Sequence, residues 1–196
     1  MTSLHRSSML QVDFSWKKFK ALINDANNPE AGPIYIVNWN AIKSPHLIFK
    51  RPADDHVIGS GTLHAVSINA DYEVNGRKGT LAAQKRLKTL YTHQSYTYSG
   101  TGKPITMTWT SDSGFTTWDF VCVDEQQRPV AKYSAKIWGV KKIGNIEFMD
   151  ENLSNEARGE LVVTGMTLFY CMWLRVNNIF NLFGAAFHSK PKTEQS

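Results

Sequence analysis

Residues 161–174, LVVTGMTLFYCMWL, form the most apolar stretch of the chain and follow a region whose pattern is that of β-strands. The stretch is apolar on nearly every side, and a helix of that kind lies either inside a protein or inside a membrane. Its fourteen residues extend roughly 21 Å at about 1.5 Å each, which is short of the ~30 Å hydrocarbon core of a bilayer. The stretch therefore predicts a helix buried in protein and enclosed by the preceding strands.

Composition indicates one globular domain with a moderate positive charge. The chain has 196 residues, 42% of them hydrophobic, and 22 Lys and Arg against 17 Asp and Glu give a formal charge of +5. This size suffices for a substantial core, and the charge permits contact with anionic surfaces without requiring it. We expect Cys122 and Cys171 to act as small buried hydrophobes, and the sequence leaves open a disulfide between them.

The termini carry no recognisable targeting signal. The first twenty residues lack the apolar run of a secretory signal peptide, Thr2 excludes N-myristoylation, and the final TEQS is not a prenylation box. We therefore expect a cytoplasmic protein that is at most peripheral at a membrane.

Alternating apolar and polar residues predict a series of strands. The alternation is clearest in ITMTWT (105–110), FTTWDFVCV (115–123), VAKYSAKIW (130–138) and NIEFM (145–149). The intervening SDSG, DEQQRP and KKIG are suited to hairpin turns. Because parallel crossovers need a dozen or more residues, links this short predict an antiparallel meander. Trp109 and Trp118 are expected in the core and Asp119 on the outer face.

The pattern divides the chain into three parts. Residues 1–33 read as an N-terminal arm and loop, within which 14–23 could be a short helix or a strand, and strand-like segments begin at residue 34. Residues 34–175 would form the barrel and its helix, with Ser154 as the helix cap and Glu156 in the first turn. Residues 80–90 have helix-forming composition.

The third part, residues 176–196, combines an amphipathic stretch with a polar tail. Apolar residues recur at helical spacing over 179–187, with asparagines at 177, 178 and 181 on the opposite side. The polar residues around 175–181 interrupt the hydrophobicity before it reaches a membrane-spanning length. We expect a separate, surface-lying element that either caps the barrel or docks on a membrane or partner.

The sequence resembles the tubby C-terminal-like domains of fungal proteins. The resemblance rests on WDFVCVDEQQRPVAKYSAKIW (118–138), NIEFMD (145–150) and the LVVTGM (161–166) that opens the apolar helix. It implies the fold shared by the tubby, LURP-one-related and phospholipid-scramblase families: a closed antiparallel barrel of about twelve strands around a central hydrophobic C-terminal helix. It also implies binding of phosphoinositide headgroups through basic side chains. No motif assigns that role to particular residues here, and the Ca²⁺-loop and Cys-rich segments of scramblases are absent from the sequence.

The chain shows no catalytic, metal-binding or cofactor-binding signature. It lacks the G-x-S-x-G elbow, the P-loop, G-x-G-x-x-G and H-E-x-x-H, and its six histidines do not have metal-ligand spacing. We interpret Gly59-Ser60-Gly61 as a turn or bulge rather than an anion cradle. We therefore predict no catalytic residues, no metal and no cofactor.

Basic residues form the most informative polar pattern. Lys132 and Lys136 share one strand face, and Lys141 and Lys142 occupy the next turn. These four are the candidate lipid-headgroup ligands, although strand lysines also serve solubility and protect sheet edges. Two further basic groups occur in the sequence: Arg77, Lys78, Lys85, Arg86 and Lys88; and Lys17, Lys18 and Lys20. Phe180, Phe183 and Phe187 are candidate contacts with a membrane or partner.

These observations predict a non-enzymatic, tubby-like barrel that binds anionic membrane lipids peripherally or acts as a membrane-proximal adaptor. The alternatives are a barrel that binds a small hydrophobic ligand, in which the central helix would occupy the lumen, and an enzyme without a recognisable motif. Nucleic acid is not expected as a partner, because Lys132 and Tyr133 lie on opposite faces of their strand.

Overall fold

A computed structural model describes residues 9–15, 19–64, 67–86, 88–99, 101–111, 117–136 and 142–188. Within these ranges it gives no side-chain description for residues 15, 117, 136, 142, 143 and 177–188. The described chain contains twelve strands, a short 3-10 helix (Pro29–Ala31) and one α-helix. In order, the strands and helix are β1 (Met9–Ser15), β2 (Lys20–Asp25), β3 (Pro33–Trp39), β4 (Leu47–Arg51), β5 (His56–Leu63), β6 (Ala70–Val74), β7 (Arg77–Ala83), β8 (Leu90–Ser95), β9 (Ile105–Ser111), β10 (Thr117–Val123), β11 (Pro129–Lys136), β12 (Lys142–Phe148) and α1 (Asn155–His188).

The strands form a closed antiparallel barrel. Each strand pairs with its neighbours in sequence, and β1 pairs with β12 to complete the ring, with Leu10 opposite Ile146. Closure removes the free sheet edges at which strands of other chains could add. The predicted fold class, a twelve-stranded antiparallel barrel with a hydrophobic C-terminal helix, is confirmed.

The barrel begins earlier in the chain than the sequence pattern indicated. Residues 1–33 were expected to be an arm and loop, but β1 and β2 are both barrel strands. Their inward positions, among them Val12 and Ile23, are fully buried. The physical reason is closure, since β12 would otherwise lack a partner on one side. Helix-forming composition over 80–90 also proved misleading, because these residues span the end of β7, a bend and the start of β8.

Helix α1 runs through the inside of the barrel. Its first turn is capped by Ser154, whose Oγ accepts a hydrogen bond from the Ala157 N–H at 3.0 Å, as predicted. Every residue from 157 to 171 is buried, which covers more than four helical turns and therefore all sides of the helix. The strands that contact it include β3 through Trp39, β5 through Gly59, β9 through Trp109, β11 through Tyr133 and β12 through Phe148.

Two glycines of β5 allow the helix to approach the barrel wall closely. A Cβ on Gly59 would lie 2.8 Å from Val163 Cγ2, and one on Gly61 would lie 3.0 Å from Thr167 Cγ2 and closer still to its Oγ1. Gly59-Ser60-Gly61 is therefore a strand segment facing the helix rather than the expected turn. A bulge does occur beside it, where the β4–β5 register shifts between Phe49 and Lys50.

The core contains both tryptophans that the alternation placed there and both cysteines. Trp109 and Trp118 are 0% and 5% exposed. Cys122 and Cys171 are buried and free, so the disulfide that the sequence left open is not formed. Burial raises the pKa of both thiols above its ordinary value, which keeps them in the unreactive, protonated form.

The backbone of α1 continues without interruption to His188. The prediction of a separate element over 179–187 is thus wrong for the backbone, because no residue between 175 and 179 breaks the helix. No stretch of α1 among the described residues combines the length and hydropathy that crossing a bilayer requires.

Candidate functional site

The barrel has two chemically different ends, which the antiparallel topology defines. Helix α1 starts at one of them, called here the cap end, beside the connections β2–β3, β4–β5, β6–β7, β8–β9 and β10–β11. The helix leaves at the opposite exit end, beside the connections β1–β2, β3–β4, β5–β6 and β7–β8. Arg175 marks that end, since it donates hydrogen bonds to Tyr91 Oη at 2.7 Å and to the Arg86 carbonyl at 3.1 Å.

Four unpaired basic side chains lie on the exit-end connections. Lys43 lies on the β3–β4 connection, and Lys85, Arg86 and Lys88 on the β7–β8 connection; all four are exposed. None of them forms an ion pair with a residue that the structure describes. The described residues of the exit-end connections (19, 40–46, 64, 67–69, 84–86 and 88–89) include no Asp or Glu. These four residues are called here the exit-end basic cluster.

Four further charged residues fall, in the sequence, between β1 and β2, between β9 and β10, or between β11 and β12. Lys17, Lys18 and Lys141 are basic and Asp112 is acidic, and all four lie outside the described residues.

Acidic residues instead concentrate at the cap end. Its connections carry Glu30, Asp54, Asp55, Asp124, Glu125, Asp150 and Glu151. Some are neutralised locally: the Arg51 side chain, hydrogen-bonded to Asp54, lowers the pKa of that carboxyl to about 2. Negative charge near the start of α1 is favourable, because a helix carries partial positive charge at its N-terminus. The two ends therefore differ in charge: the described exit-end connections carry basic residues without Asp or Glu, whereas the cap end carries residues of both signs, including the ion pairs Arg51–Asp54, Lys50–Asp55 and Arg128–Asp124.

An aromatic cluster lies beside the basic residues at the exit end. The ring centroid of Trp39 is 5.5 Å from that of Phe19, 6.1 Å from that of Tyr170 and 6.2 Å from that of Trp173. Phe19 is 51% exposed, and Ile42 on the β3–β4 connection is 90% exposed. Ile42 is held in place through its backbone, whose N–H donates to Asn40 Oδ1 at 3.0 Å. The exit end thus presents apolar and cationic side chains together.

The cap end contains a cavity in the barrel wall. It measures about 710 Å³ and lies where β7 and β8 meet the start of α1. Arg77 and Lys78 line it from β7, Tyr96 follows β8, and Glu156 and Glu160 come from the first turns of α1. A volume of this size is typical of small-molecule sites.

A buried carboxylate and a buried imidazole lie at the inner side of this cavity. The side chains of Glu160 and His93 are 6% and 0% exposed, with Oε1 of Glu160 3.4 Å from Nε2 of His93. Neither His93 nitrogen meets hydrogen-bond geometry with a described group, so the imidazole contact is electrostatic rather than a well-aligned hydrogen bond. The Thr97 hydroxyl donates to Glu160 Oε2 at 2.7 Å. Burial alone would raise the pKa of Glu160, but contacts with His93, Ser95 and Thr97 outweigh it and hold that pKa below its usual value. The direction of this pKa shift favours the ionised form of Glu160 in the folded protein.

The cavity exists because β7 and β8 separate toward the cap end. The two strands pair at only two positions, Ala82 with Thr92 and Ala83 with Tyr91, whereas β6 and β7 pair at five. Tyr72 bridges the gap: its ring crosses the lumen side of Gly79, where a Cβ would collide with it, and its hydroxyl donates to the Gln94 carbonyl at 2.9 Å.

The predicted headgroup residues are only partly described. Lys132 is 37% exposed and lies 3.7 Å from Asp119, so its charge is partly balanced. Lys136 and Lys142 are placed at the ends of β11 and β12 by their backbones, while Lys141 lies outside the described residues. Phe180, Phe183 and Phe187 belong to α1 by backbone, and their side chains are not described. Asp119 faces outward, as predicted.

The sequence reasoning missed Glu160 and His93. The signals available were a glutamate in the first turns of a helix buried on all sides and a histidine at an inward position between Tyr91 and Ser95. Among the described residues no group of three or more His, Cys, Asp or Glu side chains is arranged to hold a metal ion. Comparison of the chain with protein-family models, curated proteins and solved structures gave no match, and the resemblance to tubby-like domains stays a prediction.

Proposed function

We propose that the protein is a non-enzymatic barrel that binds anionic membrane surfaces peripherally through its exit end. The observation that carries the proposal is the juxtaposition of unpaired cations and exposed apolar side chains at the end from which α1 emerges. Lys43, Lys85, Arg86 and Lys88 supply the charge, and Ile42 and Phe19 supply apolar groups.

The charge contributes useful binding energy only near an anionic surface. A basic residue close to such a surface contributes about 1 kcal/mol, so the exit-end basic cluster contributes on the order of 4 kcal/mol, roughly a thousandfold in affinity. This attraction falls off within a Debye length, about 8 Å at physiological ionic strength. High salt should therefore weaken the association strongly.

The apolar groups supply a second, salt-independent contribution. Burying a side chain such as Ile or Phe contributes about 1.5–3 kcal/mol relative to full exposure, and Ile42 is almost fully exposed. Stable attachment to a bilayer generally needs two such signals acting together. The amphipathic sequence of 179–187, which follows the exit of α1, would extend the apolar contact.

This proposal keeps the lipid-binding function that the sequence predicts, but it assigns the binding to the exit-end basic cluster instead of Lys132 and its neighbours. Lys132 lies 3.7 Å from Asp119 on a strand of the barrel wall, whereas the exit-end basic cluster lies on connections at one end of the barrel and has no ion-pair partner among the described residues. Phosphoinositide-type headgroups, which the tubby-like resemblance implies, are one anionic target of such a surface, and a membrane-proximal adaptor role is compatible with it. A lipocalin-like apolar site is disfavoured because α1 occupies the lumen.

Vesicle sedimentation tests the proposal. The protein is mixed with phosphatidylcholine vesicles that do or do not contain phosphatidylserine or a phosphoinositide, at low and at high salt. The double variant Lys85→Glu/Lys88→Glu should lose at least about 2 kcal/mol of binding to the anionic vesicles, roughly thirtyfold. The matched control Lys78→Glu/Lys103→Glu reverses two exposed lysines of the cap end that likewise form no ion pair with described residues, and it should bind almost as wild type does.

Two results would contradict this proposal. Equal binding to neutral and anionic vesicles would show that electrostatic attraction does not contribute to binding. An equal loss of affinity in both double variants would show that the net charge, rather than the exit end, governs binding. Lys132→Glu should have little effect. Deleting residues 177–196 should lower binding without lowering the melting temperature if that segment contacts the membrane, and should lower the melting temperature if it only caps the barrel.

A further inference from the structure

The separation of β7 from β8 creates an opening through the barrel wall. Outward-facing Thr92 and Gln94 and lumen-facing His93 and Glu160 line the same cavity, so it passes from the surface to the interior. On the cap-end side of the pair Ala82–Thr92, the described residues form no further β7–β8 register pair, and the Gln94 carbonyl there accepts a hydrogen bond from Tyr72. An opening of this kind in a closed barrel provides polar groups to a molecule small enough to enter it.

The two sides of the opening carry opposite charge. Arg77 and Lys78 on β7 are exposed and form no ion pair with described residues. The Arg77 guanidinium is held over the Tyr96 ring, 4.9 Å from its centroid. On the helix side, Glu156 is exposed and without an ion pair among described residues, and Glu160 lies deeper. The two charge signs are thus supplied by different elements, β7 and α1.

The inner wall also contains unused hydrogen-bonding capacity. The His93 ring is fully buried, and neither of its nitrogens has a well-aligned hydrogen-bond partner among the described residues. Buried polar groups are usually satisfied by protein, water or ligand, and an exception requires an explanation. For the His93 ring the nearest charged group is Glu160, whose Oε1 lies 3.4 Å from Nε2, so the imidazole supports the carboxylate rather than meeting a ligand directly. Glu160 accepts from Thr97 and still has capacity, because a carboxylate has about four acceptor positions.

We propose that the opening between β7 and β8 binds a small zwitterion in which an anionic group, carboxylate or phosphate, lies close to a primary ammonium. Arg77 and Lys78 contact the anionic group, Glu156 and Glu160 contact the ammonium, and the Tyr96 and Tyr72 rings flank it. A simple anion would be repelled by the two glutamates, and a simple cation by the two basic residues. An uncharged apolar ligand would leave Arg77, Lys78 and Glu156 without an ion-pair partner among the described residues.

This site is independent of the proposed membrane-binding surface. The opening lies at the cap end, whereas the exit-end basic cluster lies at the opposite end of the barrel. The zwitterion would therefore be taken from solution, and either function can fail without the other.

Titration of the full-length protein followed by amide NMR tests the site. The probes are O-phosphoethanolamine and glycine, with ethanolamine and inorganic phosphate as single-charge controls. At least one zwitterion should bind saturably, shift the signals of 77–82 and 92–97, and bind at least tenfold more tightly than either single-charge molecule. Arg77→Ala/Lys78→Ala and Glu156→Gln should each weaken that binding about tenfold, the factor that corresponds to 1.4 kcal/mol.

Matched controls use exposed residues at the same end that do not line the cavity. Lys103→Ala and Glu151→Gln remove one charge of each sign and should leave the affinity unchanged. The proposal is overturned if neither zwitterion shifts these signals, if phosphate or ethanolamine alone binds as tightly, or if the control variants weaken binding as much as the variants of Arg77, Lys78 and Glu156.

Discussion

Replacing Gly61 with alanine tests whether close approach between β5 and α1 holds the barrel together. Gly61 faces the helix, and an added Cβ would lie 3.0 Å from Thr167 Cγ2, closer still to Thr167 Oγ1, and 3.2 Å from Leu47 Cδ1. The backbone itself accepts alanine, because Gly61 is not among the described glycines with positive φ, which are Gly32, Gly76 and Gly102. The cost is therefore one of packing alone.

The expected magnitude follows from this geometry. Adding a methyl group to a closely packed core typically costs 1–3 kcal/mol of unfolding free energy. For a domain of this size, each kcal/mol lowers the melting temperature by about 2–4 °C. Thr167→Ala removes the colliding atoms, and its Oγ1 is buried without a hydrogen-bond partner among the described residues, so its loss removes no hydrogen bond. The double variant Gly61→Ala/Thr167→Ala should regain most of the loss.

Urea unfolding monitored by tryptophan fluorescence measures these changes, since Trp109 and Trp118 are buried. Gly159→Ala is the matched control: its Cβ would meet only Ile58 Cδ1 at 3.8 Å, and alanine favours a helix over glycine by about 1 kcal/mol, so this variant should be stabilised. A neutral Gly61→Ala variant, or destabilisation that is simply additive with that of Thr167→Ala, would refute the packing argument.

Three further predictions concern buried groups. Met166→Asp should prevent folding, because an unpaired buried charge costs several kcal/mol against a total stability of about 5–15; a soluble variant that melts cooperatively would contradict the buried helix. The pKa of Glu160 in the folded protein lies below its ordinary value of 4.5. Its ionised form therefore contributes to the stability of the fold above pH 4.5, and this contribution is lost as the pH falls through the folded pKa. Glu160→Gln should therefore reduce the dependence of the unfolding free energy on pH in the acid range. An unchanged dependence would show that Glu160 does not contribute to stability in this way. Tyr72→Phe removes the hydrogen bond to the Gln94 carbonyl and should cost about 1 kcal/mol of unfolding free energy. It should also speed hydrogen exchange of the amides in β7 and β8. Unchanged exchange would contradict the conclusion that Tyr72 holds the two strands together.

Several features of the fold could be predicted because they depend on local pattern. Alternation over 105–110 and 130–136 reflects strands with one buried face, and the all-round hydrophobicity of 161–174 reflects a helix without a solvent face. Ser154 could be recognised as the helix cap from its position alone. These features involve residues close together in sequence, so the sequence itself carries the signal.

Other features depend on partners distant in sequence. Met9–Ser15 forms a barrel strand because β12 needs a partner on that side, and residues 80–90 contain the end of β7 and the start of β8 despite their helix-forming composition. Residues 179–187 continue α1 because nothing before them ends it.

The candidate sites show the same division. Composition and spacing alone determined that the chain is a basic, strand-rich domain with one fully apolar helix. Only the tertiary structure decided that Lys43 and Lys85 lie at one end of the barrel. It also decided that Glu160 lies beside His93 near the other end, where β7 and β8 separate. The physical reason is that ring closure sets which connections share an end and which inward side chains meet the helix, and neither relation leaves a periodic trace in the sequence.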